Sequence, residues 1–525
     1  MNLNIKTLLT CCVIICLLGT SCKKYLDINN NPNGPEKVDP AIYLATIQTQ
    51  FVQGQQFDGR FLGPYVQTFH NASSTFAWDL HSYNASSDNG GSMWRNFYWK
   101  GGYNMLDMQN QAREEKKWDI LAAGMALEAW GWQMLTDYHG EIILREAFTA
   151  TQNTFPYTSQ PEVYAYVDSL AHAALVEIDK NEDAIGSTTF KRFDIMYGGD
   201  RAKWKRFIYG VLALNYSHLS NKLSIYKADS VIKFIDNSFT GNGDDALVRN
   251  DATNSANSNL YGPINASNLS LSSYGQSDYI VKLLDSTHFK IKDPRRLIML
   301  TPSTDGVYRG LRPGVGQTIP STSTPGTTHV RNMYGYTLGY VPPAGTPGHY
   351  LFADKVATPM MTYSMLQFIK AEAAFIKGDK TMALDAYKKG LNAHLDFVFA
   401  RVLPTDPAAN YATERTAYLA NPAVVPLLAA DLTLNQILMQ KYIAMWGWNF
   451  LETWNDLRKY DYSNTVFTGF TLPAVTLLPT DNNGKYAYRV RPRYNSEYIW
   501  NIDALTLIGG FDRDYHTKKM WFHQP

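Results

Sequence analysis

The chain has 525 residues, with 48 Lys and Arg against 47 Asp and Glu, 45% apolar residues and 18% charged ones. That much apolar content with so little charge can bury a large core, which excludes a disordered chain. The even charge balance, with basic clusters as short as KRF, KWKR and RPR, excludes the basic stripe that nucleic-acid binding needs. Aromatics make up 13%, Tyr the commonest, and Tyr and Trp join a flat apolar face to a polar handle that suits core packing and wet binding sites equally.

The first element is a targeting segment. Lys6 gives a positive start, Leu8 to Leu18 is an unbroken apolar run, and Gly19, Thr20 and Ser21 are small, the three-part layout of a secretory signal over residues 1–21. The run is far shorter than the roughly 20 residues a membrane-spanning helix requires. Cys22 directly after the small triplet resembles the bacterial lipobox, in which cleavage falls before the Cys and the Cys is acylated. Gly19 stands where that pattern usually has Leu, with Leu18 one step back. The alternative is ordinary secretion with Cys22 a free thiol. Acylation accounts for all four cysteines, because cleavage discards Cys11, Cys12 and Cys16 and lipidation consumes Cys22. Disulfides, Cys-ligated zinc and Cys nucleophiles are then excluded from the folded part. Two or more acyl chains hold a protein stably on a membrane, and residues 22–40 read as a polar tether that lifts a single domain, 41–525, off the lipid.

Along that domain the apolar spacing predicts helices over 121–138, 161–180, 202–219, 227–237, 358–377, 380–399 and 434–457. Asp431 or Thr433 can cap the last, and Pro161 suits a first helical turn. Lys377-Gly378-Asp379 joins the clearest helix pair, with small Ala371 and Ala374 before the turn and Ala383 after it, partly in the 34-residue tetratricopeptide pattern. The stretches 54–102, 237–276 and 301–357 are rich in Gly, Ser, Asn, Thr and Pro and read as long loops. Their aromatics argue against disorder, and loops of this length on a helical scaffold suit a binding role.

The tether CKKYLDINNNPNGP, the block from Asp194 to Leu219 (DIMYGGDRAKWKRFIYGVLALNYSHL), KDPRRL (Lys292 to Leu297) and MLQFIKAEAAFIKGD (Met365 to Asp379) resemble the SusD/RagB family of Bacteroidetes outer-membrane lipoproteins. So do QKYIAMWGWNFLETWNDLRK (Gln440 to Lys459) and RVRPRYNSEYIWN (Arg489 to Asn501). LTDYHGEIILREAF (Leu135 to Phe148) departs from the family's usual "DxYGDxPYxEA". The resemblance implies an all-α fold in which about four tetratricopeptide-like helix pairs form a scaffold and a loop-rich irregular half carries the ligand site. It also implies a lipid-anchored protein of the outer membrane facing the cell exterior. Such a protein captures an oligosaccharide, or in other relatives a peptide, and delivers it to a SusC-like TonB-dependent transporter.

Sugar capture needs a flat aromatic for the apolar face of a pyranose, beside amides, carboxylates or guanidinium groups for its hydroxyls. The segment 71–88 supplies Trp78 and Tyr83 with Asp79, His81, Asn84 and Asp88. The segment 331–340 supplies Tyr334, Tyr336 and Tyr340 with Arg331 and Asn332. Tyr261 and Tyr274 stand next, while Trp94, Tyr98 and Trp99 rank lower because WRNFYW begins a helix. Against each cluster stands the simpler reading that loop aromatics pin the loop to the body. The shared family motifs read as structural: Trp204, Phe207, Val211 and Leu214 share one helical face, and Asp293 and Arg295 form an ion-paired turn. A surface glycoside hydrolase would need two facing carboxylates, for which Asp79 and Asp88 are available. HExxH, GxSxG and a Cys nucleophile are absent, so the expectation is a binding protein, not an enzyme. No cofactor or metal is expected: GNGDDA (Gly241 to Ala246) follows a helix where a dinucleotide motif follows a strand, and DNNG (Asp481 to Gly484) lacks the remaining oxygens of a calcium loop.

Overall fold

A computed structural model describes residues 38–149, 151–180, 188–319 and 321–525. The signal segment, Cys22 and the tether up to residue 37 lie outside the described residues. The fold is mostly helical. Its principal helices are α1 (Ile42–Tyr65), α2 (Tyr103–Glu114), α3 (Trp118–His139), α4 (Gln160–Ile178), α5 (Arg201–Ser217), α6 (Ala228–Asp236), α7 (Tyr363–Lys377), α8 (Lys380–Phe399), α9 (Leu434–Met445), α10 (Phe450–Lys459), α11 (Tyr494–Trp500) and α12 (Ile502–Leu507). Helices α3 and α4, α5 and α6, α7 and α8, and α9 and α10 pack as successive pairs, and α4 on α5 and α6 on α7 join one pair to the next.

The pair α7–α8 shows how local chemistry builds this scaffold. Thr362 caps α7 by accepting from the Met365 amide, Gly378 closes it in a left-handed conformation (φ 91°), and Asp379 caps α8 by accepting from the Met382 amide. Between the helices Ala371, Ala374, Ala383 and Ala386 are fully buried. A Cβ at Gly390 would stand 3.2 Å from the Phe368 ring, so the seam has no room for larger groups. Ala374→Trp should therefore overpack it and cost about 1–3 kcal/mol; chemical unfolding with an unchanged midpoint would show the seam to be looser than this.

Three expectations need correction. The helix expected over 434–457 is two helices, because Gly447 (φ 86°) breaks it. The turn buries both Trp446 and Trp448, and Asn449 caps α10 by accepting from the Glu452 amide at 3.1 Å. The start of α9 is capped by Thr433 through a capping box with Gln436. The helix expected from 358 begins at Tyr363, since Thr358–Met361 is strand β4, paired antiparallel with β2 (Ala246–Val248). The loop expected from 54 begins only after Tyr65: in α1 the glycines allow close approach, and a Cβ at Gly59 or Gly63 would fall 2.5 Å from the rings of Phe450 or Phe69. A second small ribbon pairs β1 (Phe69–Asn71) with β3 (Tyr274–Gln276), antiparallel, His70 opposite Gly275.

The helix pairs enclose buried charge. Lys441 donates to Glu452 and Asp456, each at 2.9 Å, and Lys459 lies 2.6 Å from Glu372. His218 bridges Glu452 at 2.7 Å and Asp137 at 3.0 Å. Burial by itself would discharge the imidazolium, but Glu452 and then Asp137 outweigh it and hold His218 up at about 10. Arg458 stacks on Trp454 at 3.9 Å and donates to the carbonyls of Tyr488 and Asp137, both at 2.7 Å. The expected Asp293–Arg295 turn is likewise buried, with Arg295 Nε 3.0 Å from Asp293.

Candidate functional site

The irregular half gathers at the β1–β3 ribbon. Ala72, after β1, forms a small separate core with Leu311, Val330 and Leu338. The Gln317 amide donates to the Ala72 carbonyl at 2.9 Å, and the Gly339 amide to the Ser272 carbonyl at 2.8 Å. Segments 71–76, 311–319 and 330–340 thus form one surface, although they are distant in sequence.

Asn332 organises that surface. It is fully buried; its side-chain amide donates to the carbonyls of Thr337 and Tyr340, both at 3.0 Å, and its oxygen accepts from the Tyr334 and Tyr336 amides, also at 3.0 Å. Gly335 (φ 86°) and Gly339 (φ 85°) take conformations that other residues adopt at a cost. The result turns Tyr334 inward, leaves Tyr340 exposed and sets Tyr336 between them, partly buried against the main core. Tyr334 is buried and donates to the Tyr261 carbonyl at 2.9 Å. Tyr336 and Tyr340 lie with ring centroids 5.7 Å apart and planes 33° apart, and Tyr340 is 39% exposed. Ile319, itself exposed, lies 3.3 Å from where a Gly339 Cβ would be. Exposed Ser73, Ser74 and Thr75 edge the surface, and Arg331, half-buried, reaches Thr304.

The first candidate cluster divides. Trp78 is only 2% exposed, wedged between Phe61 and Tyr65 at centroid distances of 5.0 and 5.1 Å. It offers no ring face to solvent; its position is that of a core residue, and so are those of Tyr261 and Tyr274. Asp79 is buried, accepting from the Asn71 amide at 3.2 Å and lying 2.8 Å from His70 Nδ1. Burial raises its carboxyl above the usual range even though His70 and the Asn71 amide pull it down. Tyr83 and Asn84 go to another edge of the molecule. Arg491 lies 4.4 Å over the Tyr83 ring and donates to the Asn84 carbonyl at 3.1 Å, while Asp88 pairs with Arg493 at 2.8 Å. The structure joins Tyr336, Tyr340, Arg331 and segment 71–76 but does not bring Tyr83 and Asn84 to them. Residues 73–75 lie inside the candidate segment 71–88 and residues 315–319 inside the expected loop 301–357, but short polar and aliphatic loop residues carry no local mark that the two share a surface.

Among the described residues no group of three or more His, Cys, Asp and Glu is placed to hold a metal, and no helix is long and apolar enough to cross a membrane. Within GNGDDA, Asn242–Asp244 forms a short 3-10 turn, and Thr480–Asn482 forms another that runs into DNNG.

Helix pairs stacked into a scaffold beside a loop-rich irregular half give the architecture of a tetratricopeptide-like helical protein. A family model described as SusD-like, "Starch-binding associating with outer membrane", matches residues 32–489, and the chain belongs to this SusD-like family. Among similar solved structures is a SusD/RagB family protein from Bacteroides thetaiotaomicron, 19% identical over 93% of this chain and 99% of its own, with a TM-score of 0.69. A SusD homolog from Bacteroides uniformis is 16% identical over 93% of this chain and 100% of its own, with a TM-score of 0.68. A chitin-binding SusD homolog from Flavobacterium johnsoniae is 17% identical over 92% and 98%, with a TM-score of 0.65. At these identities the structures show the fold. No curated protein matches significantly.

Proposed function

We propose that this chain is a lipid-anchored protein of the cell surface that captures an oligosaccharide and passes it to a SusC-like TonB-dependent transporter. The observation that carries the reading is the Tyr336–Tyr340 pair, Tyr340 exposed and Tyr336 half-buried, held by the buried Asn332 on the surface that also carries exposed Ser73, Ser74 and Thr75. The aromatic rings meet the apolar side of sugar rings, and the hydroxyls meet their edges. The family's description as starch-binding and one relative's as chitin-binding support a glycan ahead of a peptide. Hydrolysis is disfavoured because both available carboxylates are engaged, Asp79 with His70 and Asp88 with Arg493. A panel of neutral glycans incubated overnight with the purified protein tests this: retention of one glycan without cleavage is expected, while cleavage products, or binding of peptides alone, would overturn it.

Membrane attachment follows from Cys22. Cys22→Ala should abolish palmitate labelling and release the protein from the outer membrane; unchanged labelling would refute the anchor. A tether beside a barrel also raises effective concentration, so a large porin-like barrel should co-purify under mild extraction with crosslinking. Recovery of the chain alone would count against the transporter.

A further inference from the structure

A groove of about 470 Å³ lies on the helical scaffold, between α4 and the end of α5, and shares no residue with the Tyr336–Tyr340 surface. That volume is within the roughly 300–1,000 Å³ of small-molecule sites. Its lining includes Tyr164, Tyr216 and Trp521 together with Asp168, Ser224 and Lys227.

The aromatics are held in place. Tyr164 meets Trp521 at 74° with centroids 5.4 Å apart. Lys222 sits 4.7 Å over the Trp521 ring while donating to the Gln524 carbonyl at 3.1 Å. Tyr216 packs edge-on against Phe234 at 5.1 Å. Burial first and then the Asp168 charge raise its phenol to about 12, so the hydroxyl stays protonated beside Asp168. Asp168 also lies 3.3 Å from His172 Nδ1. Ser224 and Lys227 are exposed on the facing wall. One carboxylate and one ammonium in the lining leave the groove without a net sign, which favours a neutral ligand, and ordered aromatics beside both donors and acceptors match a polyhydroxylated ring.

We propose that this groove is a second sugar subsite, in which Trp521 and Tyr216 supply the apolar faces and Asp168, Ser224 and Lys227 bind hydroxyls of a neutral oligosaccharide. The proposal rests on the glycan reading of the loops but adds a site that the loops do not form. It would give the protein two points of hold on a long chain, and so a gain in avidity for polymers over short fragments.

The test is fluorine NMR of the mature chain labelled with 5-fluorotryptophan, titrated with maltohexaose and with chitohexaose. Trp521→Phe identifies the Trp521 signal. That signal should move saturably with at least one sugar, both in the parent and in a variant carrying Tyr336→Ala and Tyr340→Ala. Asp168→Ala, which leaves Trp521 in place, should raise the half-saturation concentration at least about tenfold. A signal that stays still while calorimetry registers sugar binding overturns the subsite and leaves the loop surface standing. A signal that moves only when Tyr336 and Tyr340 are present is relayed from the loops and also overturns it. Neither heat nor movement with either sugar would overturn the subsite and count against the loop reading as well.

Discussion

Lys441→Met should lower folding stability by about 3–5 kcal/mol, the loss typical when one partner of a buried ion pair is removed. Lys441 is 1% exposed and holds Glu452 and Asp456 at once. Around it Asp137, Glu372, Glu452 and Asp456 are balanced by His218, Lys441, Arg458 and Lys459. Removing one cation leaves a carboxylate without compensation where water cannot reach it. Methionine fills the same volume, so the loss is electrostatic and not a cavity. Urea unfolding of the two proteins measures it, and a variant within about 1 kcal/mol of the parent would mean that the network relaxes or that Glu372 or Asp456 takes up a proton at little cost.

Trp78→Ala should cost a similar amount, about 3–5 kcal/mol, by leaving a cavity between Phe61 and Tyr65. The loop beyond it is tied to the body by the Tyr65 hydroxyl, which donates to the Ser82 carbonyl at 3.0 Å. That tie should keep the variant folded at moderate temperature. Its affinity for ligand should then match the parent's, because the ring is not at the surface. A large loss of affinity with little loss of stability would return Trp78 to the binding site.

The helical scaffold was legible because each pair buries one face against the next, and burial imposes spacings of three and four on the apolar residues. Where glycine serves packing instead of turning, the same reading fails. Gly59 and Gly63 resemble loop residues, yet they sit in α1 with aromatic rings where their side chains would be. Gly447 stands inside an apolar run that reads as unbroken helix, yet its positive φ divides α9 from α10.

The candidate site was half legible for a related reason. Tyr334, Tyr336 and Tyr340 are equivalent as letters, but Asn332 fixes which of them face outward, and its bonds depend on the fold of the whole loop. Trp78 and Tyr83 likewise share a polar segment, and only distant partners, Phe61 for one and Arg491 for the other, decide their places. Contacts that close over hundreds of residues leave no mark on local composition.

The claim that Tyr336 and Tyr340 form the capture surface is tested most directly by calorimetric titration of a glycan that the parent retains, using Tyr336→Ala and Tyr340→Ala singly and together. Truncating an aromatic anchor typically costs roughly 2 kcal/mol, about thirtyfold in affinity. Each single change should approach that loss, and the pair should leave no measurable heat. The Tyr340→Ala unfolding curve should lie close to the parent's because that ring is exposed, while Tyr336→Ala should lose some stability because its ring packs partly against the core. Parental affinity in the double variant would contradict the account and place the ligand elsewhere on the molecule.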